Sequence, residues 1–292
     1  MKTPMHRRPP PALPAPRRRA LLAAAGAALL VPRRAPAQPA LPIFDAHLHY
    51  SEDAWERLPP PAAVAMLREA GLVRALVSSS SDDGTQKLHA QAPDLVLPAL
   101  RPYRSRGEIG TWLHDAGIVR HLEQRLERHR YVAIGEYHVF GEGAETPVMK
   151  RVVQLARQHG LVLQSHSDAD AVERQFRQWP EARILWAHAG FDPPGRVREM
   201  LRRHPRLWCD LAFRSDHASG AQVDEGWRAA FLEFPERFMV GTDTFTPERW
   251  WFVVEHARWA RQWLAALPRE VAERIAWRNG MALFGDGLVE RS

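Results

Sequence analysis

The chain has 292 residues, of which 45% are hydrophobic, 25% charged and 9% aromatic. That is a globular composition, and it excludes a disordered chain, a fibrous repeat and a polytopic membrane protein. A single cysteine, Cys209, excludes an internal disulfide and a cysteine-based zinc cluster, while the 14 histidines invite the question of whether some converge. The formal charge of +6 is misleading: eight of the 40 Lys and Arg lie in residues 1–37, which hold no acid, leaving 32 bases against 34 acids in the rest. The near-neutral body carries no case for binding long nucleic acid.

Residues 1–37 differ in composition from the rest of the chain. An arginine-rich start leads into an apolar run over 20–31, and Ala35-Pro36-Ala37 comes after it. Twelve apolar residues are too few to span a bilayer, which takes about 20, so the run is no stable anchor. It suits the h-region of an export signal, and Ala35-x-Ala37 supplies a cleavage site that would leave Gln38 as the first residue. Arg18-Arg19-Ala20-Leu21-Leu22 resembles a twin-arginine motif, which implies a bacterial protein that folds before the export machinery delivers it to the periplasm. The alternatives for this segment are an uncleaved anchor or a disordered basic tail.

From residue 41 onward, short apolar or β-branched runs alternate with amphipathic stretches. Strands are expected over 43–47, 73–78, 95–100, 131–136, 161–166, 183–188, 207–211 and 238–243. Helices are expected over 61–70, 86–91, 109–129, 146–159, 169–178, 195–204, 222–234 and 247–267, with a further C-terminal helix over 269–284. Nearly uniform apolar strands such as 161–163 imply burial on both faces, as in a parallel sheet. Eight βα units over 38–292 predict one domain, a (β/α)8 TIM barrel. A doubly wound open sheet is the alternative, but no glycine-rich phosphate turn follows the first strand.

Polar residues concentrate at the C-terminal ends of these strands, where barrel enzymes build their sites. The first strand ends Asp45-Ala46-His47-Leu48-His49, and strict alternation would put Asp45, His47 and His49 on one inward face. The fourth ends Gly135-Glu136-Tyr137-His138, the fifth Gln164-Ser165-His166, the sixth Trp186-Ala187-His188, and the eighth Gly241-Thr242-Asp243. A pair of histidines on one strand is a weak signal by itself. Five strands delivering imidazoles and carboxylates to one axis is a strong one, because burying those groups without a cation is costly.

These segments together resemble the amidohydrolase superfamily of metal-dependent TIM-barrel hydrolases, most of all its amidohydrolase-related branch. The resemblance covers nearly all of 41–285. It rests on Ile43-Phe44-Asp45-Ala46-His47-Leu48-His49, Ala187-His188-Ala189-Gly190, Leu207-Trp208-Cys209-Asp210-Leu211, Gly241-Thr242-Asp243 and the closing Asn279-Gly280-Met281-Ala282-Leu283-Phe284-Gly285. It implies that His47, His49 and His166 are metal ligands. His188 would either bind a second ion or polarise the substrate, and Asp243 would touch the metal-bound water and shuttle its proton. The fourth strand has no lysine, and its Gly-Glu context resembles TatD-like hydrolases. Glu136 as a bridging ligand favours two ions, and without that bridge the site holds one. Zinc is the default for such donors, with manganese, cobalt or nickel left open.

The implied reaction is hydrolysis of a C–N or C–O bond in a small molecule: an amide, lactone or ester. Phosphodiester or phosphotriester cleavage, non-oxidative decarboxylation, and a non-enzymatic periplasmic metal- or solute-binding role are the alternatives. Other residues have weaker claims. Asp45 is expected to orient His47 or a nearby backbone group. Arg101 is read as an exposed ion pair ahead of a substrate anion site, and His138 as either pocket-lining or superficial. His217 and Arg214 follow the seventh strand, where substrates are selected. His114, His121 and His129 read as a solvated face and Cys209 as core. Trp250, Trp251, Trp259 and Trp263 read as packing or a homodimer surface ahead of a substrate lid.

Overall fold

The structure, a computed structural model, describes residues 40–285. The export signal expected over 1–37 lies outside the described residues. Among the described residues, no helix is long and apolar enough to cross a membrane.

The expected strands form. They are β1 (Ile43–Leu48), β2 (Leu72–Val77), β3 (Val96–Leu100), β4 (Ala133–Val139), β5 (Val162–Ser167), β6 (Ile184–Trp186), β7 (Leu207–Asp210) and, after a small antiparallel ribbon of β8 (Ala218–Ser219) and β9 (Gln222–Val223), β10 (Phe238–Met239). Strands β1 to β7 and β10 pair in parallel in that order. The seam closes where Ala46 N donates to Val240 O (2.9 Å) and Asp243 N donates to His47 O (2.7 Å). This is a single-domain (β/α)8 TIM barrel.

Phe44, Ala46, Leu97, Ala133, Val162 and Met239 pack together in the barrel interior. The C-terminal helix Asn279–Phe284 plugs the N-terminal end: Phe284 stacks on Phe44 with ring centroids 5.8 Å apart, and Asn279 Nδ2 donates to Pro235 O and Phe238 O. A Cβ on Gly280 would lie 2.3 Å from the Phe44 ring, so only glycine lets the helix approach this closely.

Three helices are shorter than their patterns suggest. The stretch expected over 109–129 is regular only at Gly117–Arg128, because Asp115 Oδ1 accepts from Gly117 N (2.7 Å) and ends the preceding turn. Asp224 Oδ1 accepts from Trp227 N (3.1 Å) and sets the start of Glu225–Glu233, leaving Gln222 and Val223 in the ribbon. The last barrel helix is Val253–Leu264, preceded by a tighter turn over Pro247–Phe252.

Two strands break strict alternation near their C-terminal ends. In β1, Ile43 and Leu48 both pack in the outer layer although five residues apart, and the pairing with β2 slips between Asp45 and Leu48. In β4, Ile134 and Tyr137 both pack outside, and the pairing with β5 slips at Gly135–Tyr137. Each irregularity turns inward a residue that regular alternation would have faced out: His47 in β1 and Glu136 in β4. Gly135 makes the second one feasible. Its φ is +136°, and a Cβ there would sit 2.2 Å from Gln164 O.

Candidate metal centre

His47, His49, Glu136, His166, His188 and Asp243 come together at the C-terminal mouth, and all but half-buried His166 are buried. His47 Nε2 lies 3.2 Å from His49 Nε2. On the outer side of each imidazole, Nδ1 faces an acceptor. His47 Nδ1 is 3.1 Å from Asp210 Oδ2, His49 Nδ1 is 2.5 Å from Ser78 O, and His188 Nδ1 is 2.8 Å from Ala212 O. Carbonyl and carboxylate oxygens can only accept, so each Nδ1 carries a proton and each Nε2 turns its lone pair into the site. Two such lone pairs 3.2 Å apart repel unless a cation or a proton lies between them.

Glu136 sits at the middle of this arrangement. Its Oε2 is 3.2 Å from His49 Nε2 and 3.5 Å from His47 Nε2. Its Oε1 is 2.8 Å from His166 Nδ1 and 3.4 Å from His188 Nε2. Two donor pairs therefore meet on opposite oxygens of one carboxylate. Asp243 Oδ1 lies 3.4 Å from His49 Nε2 and 4.0 Å from His47 Nε2, and this buried oxygen has no hydrogen-bond donor. His47, His188 and Asp243 also bring one donor atom each within 4.8 Å of one another.

The electrostatics call for positive charge at the same place. Burial alone would raise the Glu136 carboxyl, but the His47 charge and the hydrogen bond from His166 Nδ1 hold it well below the usual range. Burial would likewise raise Asp243, yet His47 and His49 pull it down to about 2. Burial works against a charged His47, but Asp210 and Glu136 beside it hold the imidazole well above its ordinary value. Positive charge is favoured at this place, and a cation binding to the His47 Nε2 must displace any proton held there. The chemistry of the donors, the facing lone pairs and the orphaned Asp243 oxygen all fit a divalent cation.

Residues around the donors hold them in position. Asp210, which has no role in the sequence-based expectations, accepts from His188 N (3.0 Å) and Ala212 N (3.1 Å) on Oδ1 while Oδ2 holds His47. The signal is there in the sequence, since Asp210 is the only acid in the seventh strand and ends it. Asp45 does not share the inward face with His47 and His49 as expected. It accepts from His47 N (3.0 Å) and Thr242 N (3.1 Å) and from the Thr242 hydroxyl, tying β1 to the β10 seam, and burial raises it to about 6. Arg101 is not an exposed ion pair: it is 4% exposed, its Nη2 lies 2.8 Å from Glu136 Oε2 and its Nε donates to Glu136 O. His138 stacks on His166 with centroids 4.1 Å apart and bonds Tyr103 through Nδ1.

Trp250 is buried and donates to His49 O (3.1 Å), and Trp263 is buried too, whereas Trp251 is exposed. Arg214 pairs with Asp216 and donates to His188 O (3.0 Å). Cys209 is buried in the outer core of β7. His114 is exposed, but His121 and His129 are half-buried, so the face expected to be solvated is only partly so. His217 does not join the donors. Its ring is buried, with Trp259 and Trp263 centroids both 5.0 Å away, and neither ring nitrogen has a partner.

Comparison with known proteins agrees with this geometry. An amidohydrolase family model matches residues 44–285. Similar solved structures include an uncharacterised TIM-barrel protein from Bordetella bronchiseptica (12% identity, TM-score 0.58, 85% of this chain and 99% of that one). Another is a probable 2-pyrone-4,6-dicarboxylic acid hydrolase from Acinetobacter baumannii with citric acid bound (14%, 0.57, 83% and 99%). A third is a TatD homologue from Escherichia coli K12 (19%, 0.57, 83% and 98%). No curated protein matches in sequence. The chain belongs to the amidohydrolase family, and it is a metal-dependent hydrolase; its buried His, Glu and Asp cluster has the donor set for a divalent metal.

Two residues around the centre give testable outcomes. Asp210→Asn keeps an oxygen for His188 N and Ala212 N but removes the charge on His47, so metal affinity should fall about 10- to 100-fold. Metal titration checks this, with the circular dichroism spectrum unchanged. For His217, burial lowers the pKa to about 3. A histidine held neutral in the fold gives its full stability above pH 6.5, and that stability is lost as pH falls toward 3. His217→Phe should therefore lose about 3 kcal/mol less than the wild type between about pH 7 and about pH 4, measured by urea unfolding at each pH.

Proposed function

We propose that the protein hydrolyses a C–N or C–O bond of a small amide, lactone or ester, using a two-ion centre bridged by Glu136. The reading rests on one observation: Asp243 offers a buried, undonated carboxylate oxygen beside the Nε2 atoms of His47 and His49. A protein that only held a metal or a solute would not need an acid in that position. His47 and His49 on one side of Glu136, and His166 and His188 on the other, would hold the ions, with Asp243 beside the first pair. With imidazole and carboxylate donors, zinc is the cation we assign.

When bound, a divalent cation supplies Lewis acidity, lowering the pKa of water toward about 7 and polarising the scissile group. Asp243, ionised at neutral pH, takes the proton of the attacking water and returns it to the leaving nitrogen or oxygen. Its reach is fixed because its own N–H is bonded to His47 O. His188 acts as a ligand and not as a donor to the substrate, since its proton is committed to Ala212 O. Arg101 aims Glu136 through bonds to its carboxylate and its backbone carbonyl, and with its guanidinium engaged there it does not grip a substrate carboxylate.

Mass spectrometry of the purified protein should find about two equivalents of metal, and one equivalent would remove the bridge. Chelation should abolish turnover on a panel of esters, lactones and amides, and zinc should restore it. Asp243→Asn should retain metal but lose about 10²- to 10⁴-fold in kcat, whereas unchanged turnover would refute its proton-transfer role. We further propose export to the periplasm through the twin-arginine route. N-terminal sequencing of protein from that compartment should then begin at Gln38, and an intact Met1 on a cytoplasmic protein would refute export.

A further inference from the structure

The loops after β4, β6, β7 and β10 each present a phenylalanine at the mouth. Phe140, Phe191, Phe213 and Phe245 are 55%, 49%, 50% and 38% exposed. Their placement relative to the donors is specific. Phe191 stacks on His188 with centroids 4.6 Å apart and lies 5.9 Å from His166. Phe140 approaches His166 from another side at 6.0 Å. Phe213 stands edge-on to Phe191 at 6.4 Å and to Phe245 at 5.5 Å. Arg249 lies over the Phe213 and Phe245 rings at 4.6 and 5.4 Å while bonding Thr242 O and Asp243 O, which ties this end of the row to the proton-transferring residue.

Phe191 and Phe213 hold φ values of 55° and 56°, a left-handed conformation that costs a bulky residue about 1–2 kcal/mol. Two strained backbones displaying two half-exposed rings is a poor bargain for stability alone, and such outliers cluster at ligand sites. The rings lean on ligating imidazoles, so whatever they cover is continuous with the reacting centre. We propose that this aromatic rim is the substrate subsite, and that the substrate carries an aromatic or similarly flat apolar group next to the bond that is cut. This rests on the hydrolase reading above.

The test is calorimetric binding of acetate, phenylacetate and 2-naphthylacetate to the metal-loaded protein, with neutral 2-naphthylmethanol as a fourth probe. Naphthylacetate should bind at least about tenfold more tightly than acetate, since covering its rings removes apolar surface from water. The double variant Phe213→Asn, Phe245→Ser, with metal content and melting temperature as controls, should lose that discrimination. Equal affinities for the two acids, or a preference that survives in the double variant, would overturn the subsite. If the wild type instead forms a dimer that the double variant dissociates, with no preference for aromatic probes, the rim is a contact between copies and the proposal fails. Naphthylmethanol binding that is lost in the double variant, in a protein without metal or turnover, would keep the rim and defeat the hydrolase reading.

Discussion

The molecule is organised around a buried carboxylate that needs positive charge. Glu136 faces His47 and His49 on one oxygen, His166 and His188 on the other, and Arg101 beside them. Among the described residues, Arg101 is the one guanidinium or ammonium group paired with any of Asp45, Glu136, Asp210 and Asp243. Removing so many acids from water is expensive without a counter-charge. The inward lone pairs of three imidazoles cannot provide it, because each imidazole directs its N–H to an outer acceptor. A cation answers both demands.

Delivering the donors to that point requires departures from regular strand geometry. In β5 and β7 alternation is enough: Val162, Gln164 and His166 point one way, as do Trp208 and Asp210. In β1 and β4 it is not. Regular alternation through Phe44 and Ala46 would turn His47 toward the helices, and regular alternation past Ile134 would do the same to Glu136. An extra residue in each strand re-aims the side chain into the barrel. The sixth strand uses a third device, a left-handed run through His188, Ala189, Gly190 and Phe191.

These departures divide what is legible in the sequence from what is not. The eight strands, the C-terminal helix and the identity of the polar strand ends are legible, because the buried parallel strands are largely apolar until they reach the mouth. The true position of Asp45 is not, since a bulge leaves no trace in a hydrophobicity pattern. Arg101 has the look of a surface residue because its partner lies 35 positions away on another strand. His217 has the look of a pocket residue because its loop follows a barrel strand, and only the folded chain reveals the aromatic shell that encloses it. The phenylalanines of the rim leave no signal in the pattern either, since the left-handed backbone at Phe191 and Phe213 is set by the folded loops.

The seam between the first and last strands has a further consequence. Asp243 N bonds His47 O, so a residue near the start of the barrel and one near its end are joined by the contact that also aligns the acid with the imidazoles. No open or partly wound intermediate can present the complete donor set. Loading the ion would therefore act as a clasp across the closure, drawing its binding energy only from the finished ring and resisting the unzipping of the two edges.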